Sequence, residues 1–439
     1  MNFAMLYKHK WLLIRLPIIV VLGISALLIW WVGSPLPVAT LVMTTGPEDG
    51  MYHVYGKRYA EKLKARGIDV TIVSSAGSAE NVTRLKGTAA KFDVGFVQGG
   101  FGLTNEGGEA ADSGRVLTLA NVDIEPVWIF SRMAGIDSLL QLSGLRVSIG
   151  QTGSGSRLVA LKLLEQVRLE PKDLIISEST GLTAATALRN GVIDAAIFVS
   201  APGSEVVRAM LAAPGVHLVQ LKRSAALIER IPYLEPRLIA KGSLDSSGKH
   251  PEQDGAILTT VASLVCRQDL HPAMQRMLVA VASEVHRGAG LFNKAGEFPN
   301  LRRVDFTTSH QARKTLVHGL PWVEEHLPVR IAQFIWRLLL IAVPTFFLGW
   351  LLCRAIPAYI RWMLESHVNR WYGELKFIEH DLNKPTMSGL EFTKHHQQLA
   401  GIDKAMVNFS EPREFAQRLY ILRQHIDFVR QKLLSKRGR

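Results

Sequence analysis

Two uncharged apolar runs lie near the two ends of the chain, and shorter apolar and polar blocks alternate between them. The first run covers residues 16–32 and the second covers residues 338–353. As a helix the second run would span about 24 Å, short of a bilayer core of about 30 Å unless it extends to Ile331 or Ile360. We expect transmembrane helices at residues 16–33 and 331–353. A cleaved signal peptide and a buried helix of a soluble domain are the respective alternatives.

Between these runs, short apolar stretches are each followed by helical spacing, which indicates an α/β domain with mainly parallel strands at residues 36–329. The predicted strands are residues 39–43, 70–74, 94–98, 127–131, 146–149, 174–177, 195–199, 218–221 and 259–265. The predicted helices are residues 51–65, 79–85, 156–167, 183–189, 205–212, 224–230 and 272–286. Helical spacing returns at residues 362–382 and 415–434, with a helix start at Glu411-Pro412, and predicts a helical tail.

The positive charge is concentrated beside the apolar runs. Of the net charge of +13, residues 1–34 carry +3 and residues 354–439 carry +6. This distribution argues against a nucleic-acid-binding protein, which would place the charge on its folded domain. By the positive-inside rule, residues 1–15 and the tail, residues 354–439, are cytoplasmic, and residues 36–329 lie outside the inner membrane of a bacterium.

Several kinds of chemistry have no support in the sequence. Two cysteines, Cys266 and Cys353, exclude a disulfide scaffold and a four-cysteine zinc site. The fourteen histidines show no metal-ligand spacing, and neither a G-x-S-x-G elbow nor a phosphate-binding P-loop is present. We therefore expect no metal, no cofactor and no enzymatic activity.

Three predicted strand-to-helix junctions share one composition. They are rich in glycine and small hydroxyl residues and cover residues 45–52, 74–81 and 150–156. Free backbone N–H groups and the positive end of the helix dipole at such junctions can hold a carboxylate or a phosphate. A single junction is more often an ordinary helix cap. Three of them in one α/β domain predict a ligand cleft.

These junctions carry a resemblance to a known family. The segments TTGPEDGMYHVYGKRYAEKLK, SSAGSAENVTRLKG, SGLRVSIGQTGSGSRLVALKLL and ALRNGVIDAAIFVSAPGSEVVRAM resemble the solute-binding subunits of TAXI-type TRAP transporters. The resemblance covers about residues 38–290. It implies a two-lobed periplasmic-binding-protein-like fold of type II, with two crossovers, that closes on a small organic acid or amino acid. It also implies TRAP permease subunits as partners of a membrane-anchored variant.

A two-lobed domain would place lobe 1 at about residues 36–125 and 240–320, and lobe 2 at about residues 127–221. Pro126 suits the exit hinge, because its fixed φ favours an extended chain around it. The chain would return to lobe 1 before Thr259.

The candidate ligand-binding residues follow from the junctions and the resemblance together. They are Tyr52, Ser78, Asn81, Gln98, Thr152, Ser154, Ser156 and Ser200. The serine hydroxyls would donate hydrogen bonds to the ligand beside helix N-termini. Asn81 and Gln98 would bind a second polar group of the ligand, and the ring of Tyr52 would line the cleft. Ordinary packing and capping is the alternative for Tyr52 and Gln98. We expect Glu48, Asp49 and Glu80 to be solvated acids in first turns rather than catalysts.

The sequence is consistent with two functions. The first is a membrane-anchored receptor that delivers a small carboxylate or amino acid to a TRAP-type transport system. The second is a sensor or assembly protein that relays ligand binding to its cytoplasmic tail. The tail carries no kinase, cyclase or phosphoacceptor motif, which lowers the support for a self-contained sensor.

Overall fold

The structure is a computed structural model that divides into two compact units, residues 35–334 and the remainder of the chain. It describes residues 10–31, 39–87, 92–102, 115–222, 224, 227, 229, 231–245, 248–384, 387–407 and 416–437. The helix start predicted at Glu411-Pro412 and most of the helix predicted at residues 224–230 lie outside the described residues.

The elements follow the predicted order, with additions. The strands are β1 (Thr40–Thr44), β2 (Asp69–Val73), β3 (Val94–Gln98), β4 (Val116–Ser131), β5 (Arg146–Ser148), β6 (Ile175–Ser177), β7 (Ala195–Val199), β8 (His217–Leu218), β9 (Glu235–Ile239) and β10 (Gly255–Arg267). The helices are α1 (Lys10–Trp31), α2 (Met51–Lys64), α3 (Ser78–Lys86), α4 (Gly155–Gln166), α5 (Gly181–Arg189), α6 (Glu205–Leu211), α7 (Pro272–His286), α8 (His310–His318), α9 (Trp322–His326), α10 (Val329–Leu382), α11 (Gly389–Val407) and α12 (Ala416–Arg437).

The strands of residues 35–334 form one path in the order β2-β1-β3-β10-β4-β7-β5-β6, with β8 added to β4 and β9 added to β10. The outer pairs β1–β2, β1–β3, β5–β6 and β5–β7 are parallel. The central pairs β10–β3, β10–β4 and β4–β7 are antiparallel. The sheet is therefore mixed at its centre rather than mainly parallel, because the two connecting strands run in opposite directions.

Strands β4 and β10 connect two lobes. The first part of β4 pairs with β10, and from Val127 onwards β4 pairs with β7 instead. Pro126, where the pairing changes, lies opposite Thr259 of β10. A proline at this point removes a donor where β4 changes partner. One strand leaves lobe 1 and its neighbour returns, which gives a two-crossover, periplasmic-binding-protein-like fold.

Each lobe has its own core. In lobe 1, α2 and α7 pack around Tyr59, Phe96 and Leu264. In lobe 2, one cluster surrounds Leu163 and Ile197, and another surrounds Trp128. Residues 231–258 contribute Leu234, Ile239 and Leu258 to the lobe 2 clusters. In the structure the chain therefore returns to lobe 1 along β10, later than the boundary near residue 240 expected from the sequence.

The second unit contains α1 and most of α10, followed by α11 and α12. Among the described residues, α10 is long enough and apolar enough to cross a membrane, and α1 contains the shorter apolar stretch Ile18–Leu28. The hydroxyls of Ser25 on α1 and Thr345 on α10 are 2.9 Å apart and share a hydrogen bond. By length and composition the structure thus supplies one candidate span, and the second span stays a prediction.

The tail is helical. The last part of α10 packs with α11 and α12 through a buried cluster. Its members include Leu375, Ile378, Leu399, Ile402, Leu422 and Ile426. On α12, the buried residues Leu419, Leu422, Ile426, Val429 and Leu433 recur at spacings of three or four residues, as the sequence pattern indicated.

Candidate functional site

A cavity of about 150 Å³ lies between the two lobes. Lobe 1 contributes the loops that follow β1 and β2 and the end of β3, and lobe 2 contributes the loops that follow β5, β6 and β7. The carboxyl ends of parallel strands from both lobes therefore face one space, which is where open α/β sheets bind ligands.

Four helix N-termini line this cavity, two from each lobe. Lobe 1 presents Gly50 before α2 and Gly77 before α3, and lobe 2 presents Ser154 before α4 and Thr180 before α5. The first N–H groups of a helix have no partner within the helix, and the helix dipole adds partial positive charge there. Four such ends around one space create a favourable position for a carboxylate.

A buried acid lies at the wall formed by β4. Glu125 is 4% exposed, and the Tyr52 hydroxyl of α2 donates a hydrogen bond of 2.7 Å to its Oε2. Burial raises the pKa of Glu125 to about 8, although the hydrogen bond from Tyr52 opposes that shift. Burial, and next the charge of Glu125, raise the pKa of the Tyr52 hydroxyl. The Tyr52 ring stacks on Phe96 with centroids 5.5 Å apart, which holds the hydroxyl in place.

The ionisable side chains on the described walls are acids and a tyrosine. Asp49 and Glu125 line the cavity, and none of the described lining residues is a lysine or an arginine. Positive potential in the cavity therefore comes from helix ends, and Glu125 and Asp49 supply carboxyl groups that can pair with a cationic group of a ligand. This separation suits a ligand that carries both charges.

The two lobes contact each other around the cavity. The backbone N–H of Ala79 donates to the carbonyl of Gly153 at 3.2 Å, and the Gln151 amide donates to the carbonyl of Ala76 at 3.0 Å. The Gln98 amide donates to the carbonyl of Gly155 at 3.3 Å. Gly77 approaches so closely that a Cβ atom would lie 3.2 Å from the Cα of Ser154. The structure thus shows the lobes in contact across the cleft.

One further contact between the lobes involves Asp49. Its Oδ2 accepts a hydrogen bond of 3.3 Å from the N–H of Leu182 in the first turn of α5. A Cβ atom on Gly181 would clash with that oxygen, and the φ of Gly181 is +54°, so glycine suits this position on both counts. Asp49 of lobe 1 therefore contacts the N-terminus of a helix of lobe 2, and it stays exposed, as the sequence suggested.

Six of the eight predicted residues line the cavity: Tyr52, Ser78, Gln98, Ser154, Ser156 and Ser200. The Ser78 hydroxyl accepts from the N–H of Gln98 at 2.9 Å, and the Ser156 hydroxyl accepts from the N–H of Val199 at 3.0 Å. The Ser154 hydroxyl caps α4 by accepting from the N–H of Arg157.

Two predicted residues, Asn81 and Thr152, are not among the lining residues. Asn81 is fully buried in α3, and its amide donates to the carbonyls of Thr45 and Phe96. Its Oδ1 accepts from the hydroxyls of Thr44 and Ser75. Because these four bonds use the side chain, Asn81 ties the loops to the sheet beneath the cavity.

Sequence reasoning missed the role of Glu125. The sequence analysis places residue 125 at the end of the first part of lobe 1, next to Pro126, and gives it no role in the site. The available signal was an acid inside a strand whose other residues are mostly apolar, because a charged group in such a place needs a partner. Phe198, Gln151 and Thr180 also line the cavity and were not singled out. Within the described residues, no group of three or more histidine, cysteine or acidic side chains is arranged to hold a metal ion.

Comparison with known proteins gives a family match. The model of the NMT1-like family matches residues 43–287, which is more than half of the chain and spans both lobes.

Solved structures with similar folds include a protein of Bordetella bronchiseptica, with 17% identity over 69% of this chain and 99% of that chain, at a TM-score of 0.42. The periplasmic aliphatic sulphonate binding protein SsuA from Escherichia coli matches with 15% identity over 68% of this chain and 83% of that chain, at a TM-score of 0.34. The alkanesulfonate-binding protein SsuA from Xanthomonas axonopodis pv. citri, bound to MOPS, matches with 14% identity over 52% of this chain and 66% of that chain, at a TM-score of 0.31. These TM-scores are below 0.5, so the fold is assigned from the strand order and crossovers of this chain itself.

Proposed function

We propose that this chain, which belongs to the NMT1-like family, is a membrane-anchored solute-binding receptor whose ligand is a small amino acid. The family match is the premise. The observation that carries the ligand class is the cavity itself, where four helix N-termini face the buried carboxyl group of Glu125.

An amino acid satisfies both halves of this site. Its carboxylate accepts hydrogen bonds from the N–H groups at the helix ends and from the hydroxyls of Ser78 and Ser156. Its ammonium group pairs with Glu125. Without such a partner the buried carboxylate form of Glu125 is unfavourable, because Tyr52 is its single side-chain hydrogen-bond donor among the described residues. A simple organic acid has no ammonium group to favour the carboxylate form of Glu125, whose pKa is about 8 without such a partner. The cavity of about 150 Å³ is also small beside the 300–1,000 Å³ typical of drug-sized ligands.

The test begins with the full-length protein in detergent micelles. Mass spectrometry of small molecules released by denaturation identifies a co-purifying solute. Calorimetry then compares alanine, serine and glutamate with their amine-free counterparts propionate, lactate and glutarate. We expect the amino acid of at least one pair to bind more tightly than its partner.

Two results would contradict this proposal in different ways. Tighter binding of the amine-free acids would overturn the assigned ligand class and leave a solute-binding role. No co-purifying solute, together with no binding to any of the six compounds, would overturn the solute-binding role.

For the transport system, the resemblance of residues 38–290 to TAXI-type subunits supports a TRAP-type permease as the partner. The charge flanking the two apolar runs supports anchoring in the inner membrane, with residues 36–329 outside and both termini in the cytoplasm. Cross-linking in native membranes, followed by mass spectrometry, tests the partner. Recovery of a permease supports the transport role, and repeated recovery of other proteins alone counts against it.

One observation favours the alternative of a sensor. Helix α10 is continuous from Val329 to Leu382, so its residues include both the apolar run and the start of the tail. A continuous helix is a covalent route along which ligand binding can influence the tail. Hydrogen exchange of α11 and α12, measured with and without ligand, tests this route. Unchanged exchange despite bound ligand would favour the plain receptor.

A further inference from the structure

A second, larger cavity of about 490 Å³ lies next to the first one and shares Met51 with it. Its walls come from α2 and β4, from the loops after β7 and β9, and from the end of α7 and the segment that follows. Apart from the shared Met51, its α2 residues are Tyr55 and Arg58, which lie beyond Tyr52, and its β4 residues are Val122, Asp123 and Ile124, which directly precede Glu125. It is therefore a separate space beside the proposed amino-acid site.

One wall of the second cavity carries a basic side chain that forms no ion pair among the described residues. Arg58 of α2 lines it and is exposed. Among the residues that the structure describes, Arg58 has no hydrogen-bond or ion-pair partner. By contrast, Lys62 of the same helix and Arg66 just after it pair with Glu284. An arginine left unpaired at a cavity wall is a natural partner for a carboxylate, because its planar guanidinium can bind both oxygens.

The acid in this cavity is already engaged. Asp123 accepts hydrogen bonds from the Tyr55 hydroxyl and from the N–H of Ile124. It therefore does not pair with Arg58, whose charge stays available.

A histidine at the same wall also has a ring nitrogen without a hydrogen-bond partner among the described residues. His286, the last residue of α7, is 8% exposed, and its Nε2 has no hydrogen-bond partner within the described part of the chain. The rings of His286 and Tyr55 are nearly perpendicular, with their centroids 4.7 Å apart. Burial, and next the charge of Arg58, lower the pKa of His286 to about 3, so the imidazole is neutral and does not compete with Arg58 for an anion.

The remaining walls are partly apolar. Leu244, Leu291 and Phe292 line the cavity together with Met51 and Pro202. A ligand that filled this space would need an apolar body as well as a group that pairs with Arg58.

From these observations we infer that the second cavity is an additional binding site for a small organic carboxylate. The carboxylate pairs with Arg58, and the apolar body lies against Leu244, Leu291 and Phe292. This site does not depend on the amino-acid ligand proposed for the first cavity, since the two have different charged groups.

Benzoate and benzamide test this inference, because they have the same shape and only benzoate is charged. Binding of each to the full-length protein in detergent micelles is measured by equilibrium dialysis, with empty micelles as the blank. We expect benzoate to bind more tightly than benzamide. Arg58→Gln should weaken the binding of benzoate by about tenfold or more, as expected for loss of a charge-assisted pair. It should leave the binding of benzamide unchanged. Arg58→Lys should retain part of the affinity.

Two variants serve as matched controls. Lys57→Gln removes the neighbouring exposed charge of α2, which lines neither cavity, and should change benzoate binding little. Glu125→Gln alters the first cavity and should not change the affinity for benzoate. Thermal unfolding confirms that each variant folds. Equal affinity for benzoate and benzamide, or equal losses in Arg58→Gln and Lys57→Gln, would overturn the inference. A change of benzoate affinity in Glu125→Gln, in either direction, would place benzoate in the first cavity and would also overturn the inference.

Discussion

At the scale of single residues, Glu125 determines how the proposed site responds to pH. Its pKa is about 8 in the structure, far above 4.5, because burial disfavours the charged form. A ligand ammonium would favour the carboxylate and lower this pKa. Binding below pH 8 then releases a proton, so affinity rises as the pH approaches 8 and levels off above it.

We therefore predict that the Kd for the preferred amino acid falls between pH 6 and pH 8, by up to about tenfold per pH unit. Glu125→Gln should bind more weakly at pH 8 and should lose the pH dependence. Calorimetry at three pH values, in buffers with different ionisation enthalpies, counts the released protons directly. A wild-type Kd that does not change with pH would contradict the assigned role of Glu125.

Asn81 and Ser78 are close in the sequence but have different tasks. Asn81→Ala leaves two buried carbonyls without their donor, on Thr45 and Phe96, so we expect the free energy of unfolding to fall by about 3 kcal/mol or more. Ser78→Ala should mainly weaken ligand binding, because Ser78 lines the cavity.

Thermal unfolding of the full-length variants in detergent, alongside calorimetry, separates the two effects. Thr83→Ala is the control, because Thr83 is an exposed residue of the same helix. If Asn81→Ala melted like Thr83→Ala, the structural role given to Asn81 would be wrong.

At the scale of elements, the glycine-rich junctions could be predicted because small residues before a helix have a local signature. The junctions at residues 45–52, 74–81 and 150–156 do precede α2, α3 and α4 and line one cavity. The fourth helix end, α5, begins at Thr180-Gly181 and was not recognised as part of the site. Its position depends on how lobe 2 meets Asp49 of lobe 1, and no local pattern encodes such a contact.

The contact between Asp49 and α5 leads to a prediction about closure. A carboxylate at a helix N-terminus contributes about 0.3–1 kcal/mol, and this contact forms only when the lobes meet. Asp49→Asn should therefore weaken binding of the preferred amino acid by about two- to fivefold. Glu48→Gln, which removes the neighbouring charge of the same loop, should have no such effect. Equal losses in the two variants would indicate a general charge effect and would count against the contact between the lobes.

At the scale of the whole molecule, the two-lobed α/β fold followed from the resemblance, and the alternating pattern supported it. Strand β9 and the first half of β4 were not predicted. The first half of β4, VLTLANVDIEP, carries polar residues such as Asn121 and Asp123 that interrupt the apolar pattern. These residues are satisfied by distant groups, for example Asn121 by the carbonyl of Arg302 and Asp123 by Tyr55. Long-range pairing of this kind overrides local preference and is not visible in the sequence.

The topology of the full chain rests on charge, and it can be tested without reference to the ligand. By the positive-inside rule, lysine and arginine beside the apolar runs predict that both termini lie in the cytoplasm and that residues 36–329 lie outside. In a variant without Cys266 and Cys353, a single cysteine at Lys249 should react with a membrane-impermeant maleimide in intact spheroplasts. A cysteine at Ser435, in α12, should react only after the membrane is permeabilised.

The mass of the purified protein decides the state of the first run, because an uncleaved chain has 48.6 kDa and a cleaved one would lack about three kilodaltons. Full mass together with a protected Ser435 site supports two spans. A lower mass with a protected Ser435 site would mean a cleaved signal peptide and a single span through α10, the candidate span among the described residues. Labelling of the Ser435 site in intact spheroplasts would put the tail outside and contradict the charge argument, because the most basic segment of the chain would then have crossed the membrane.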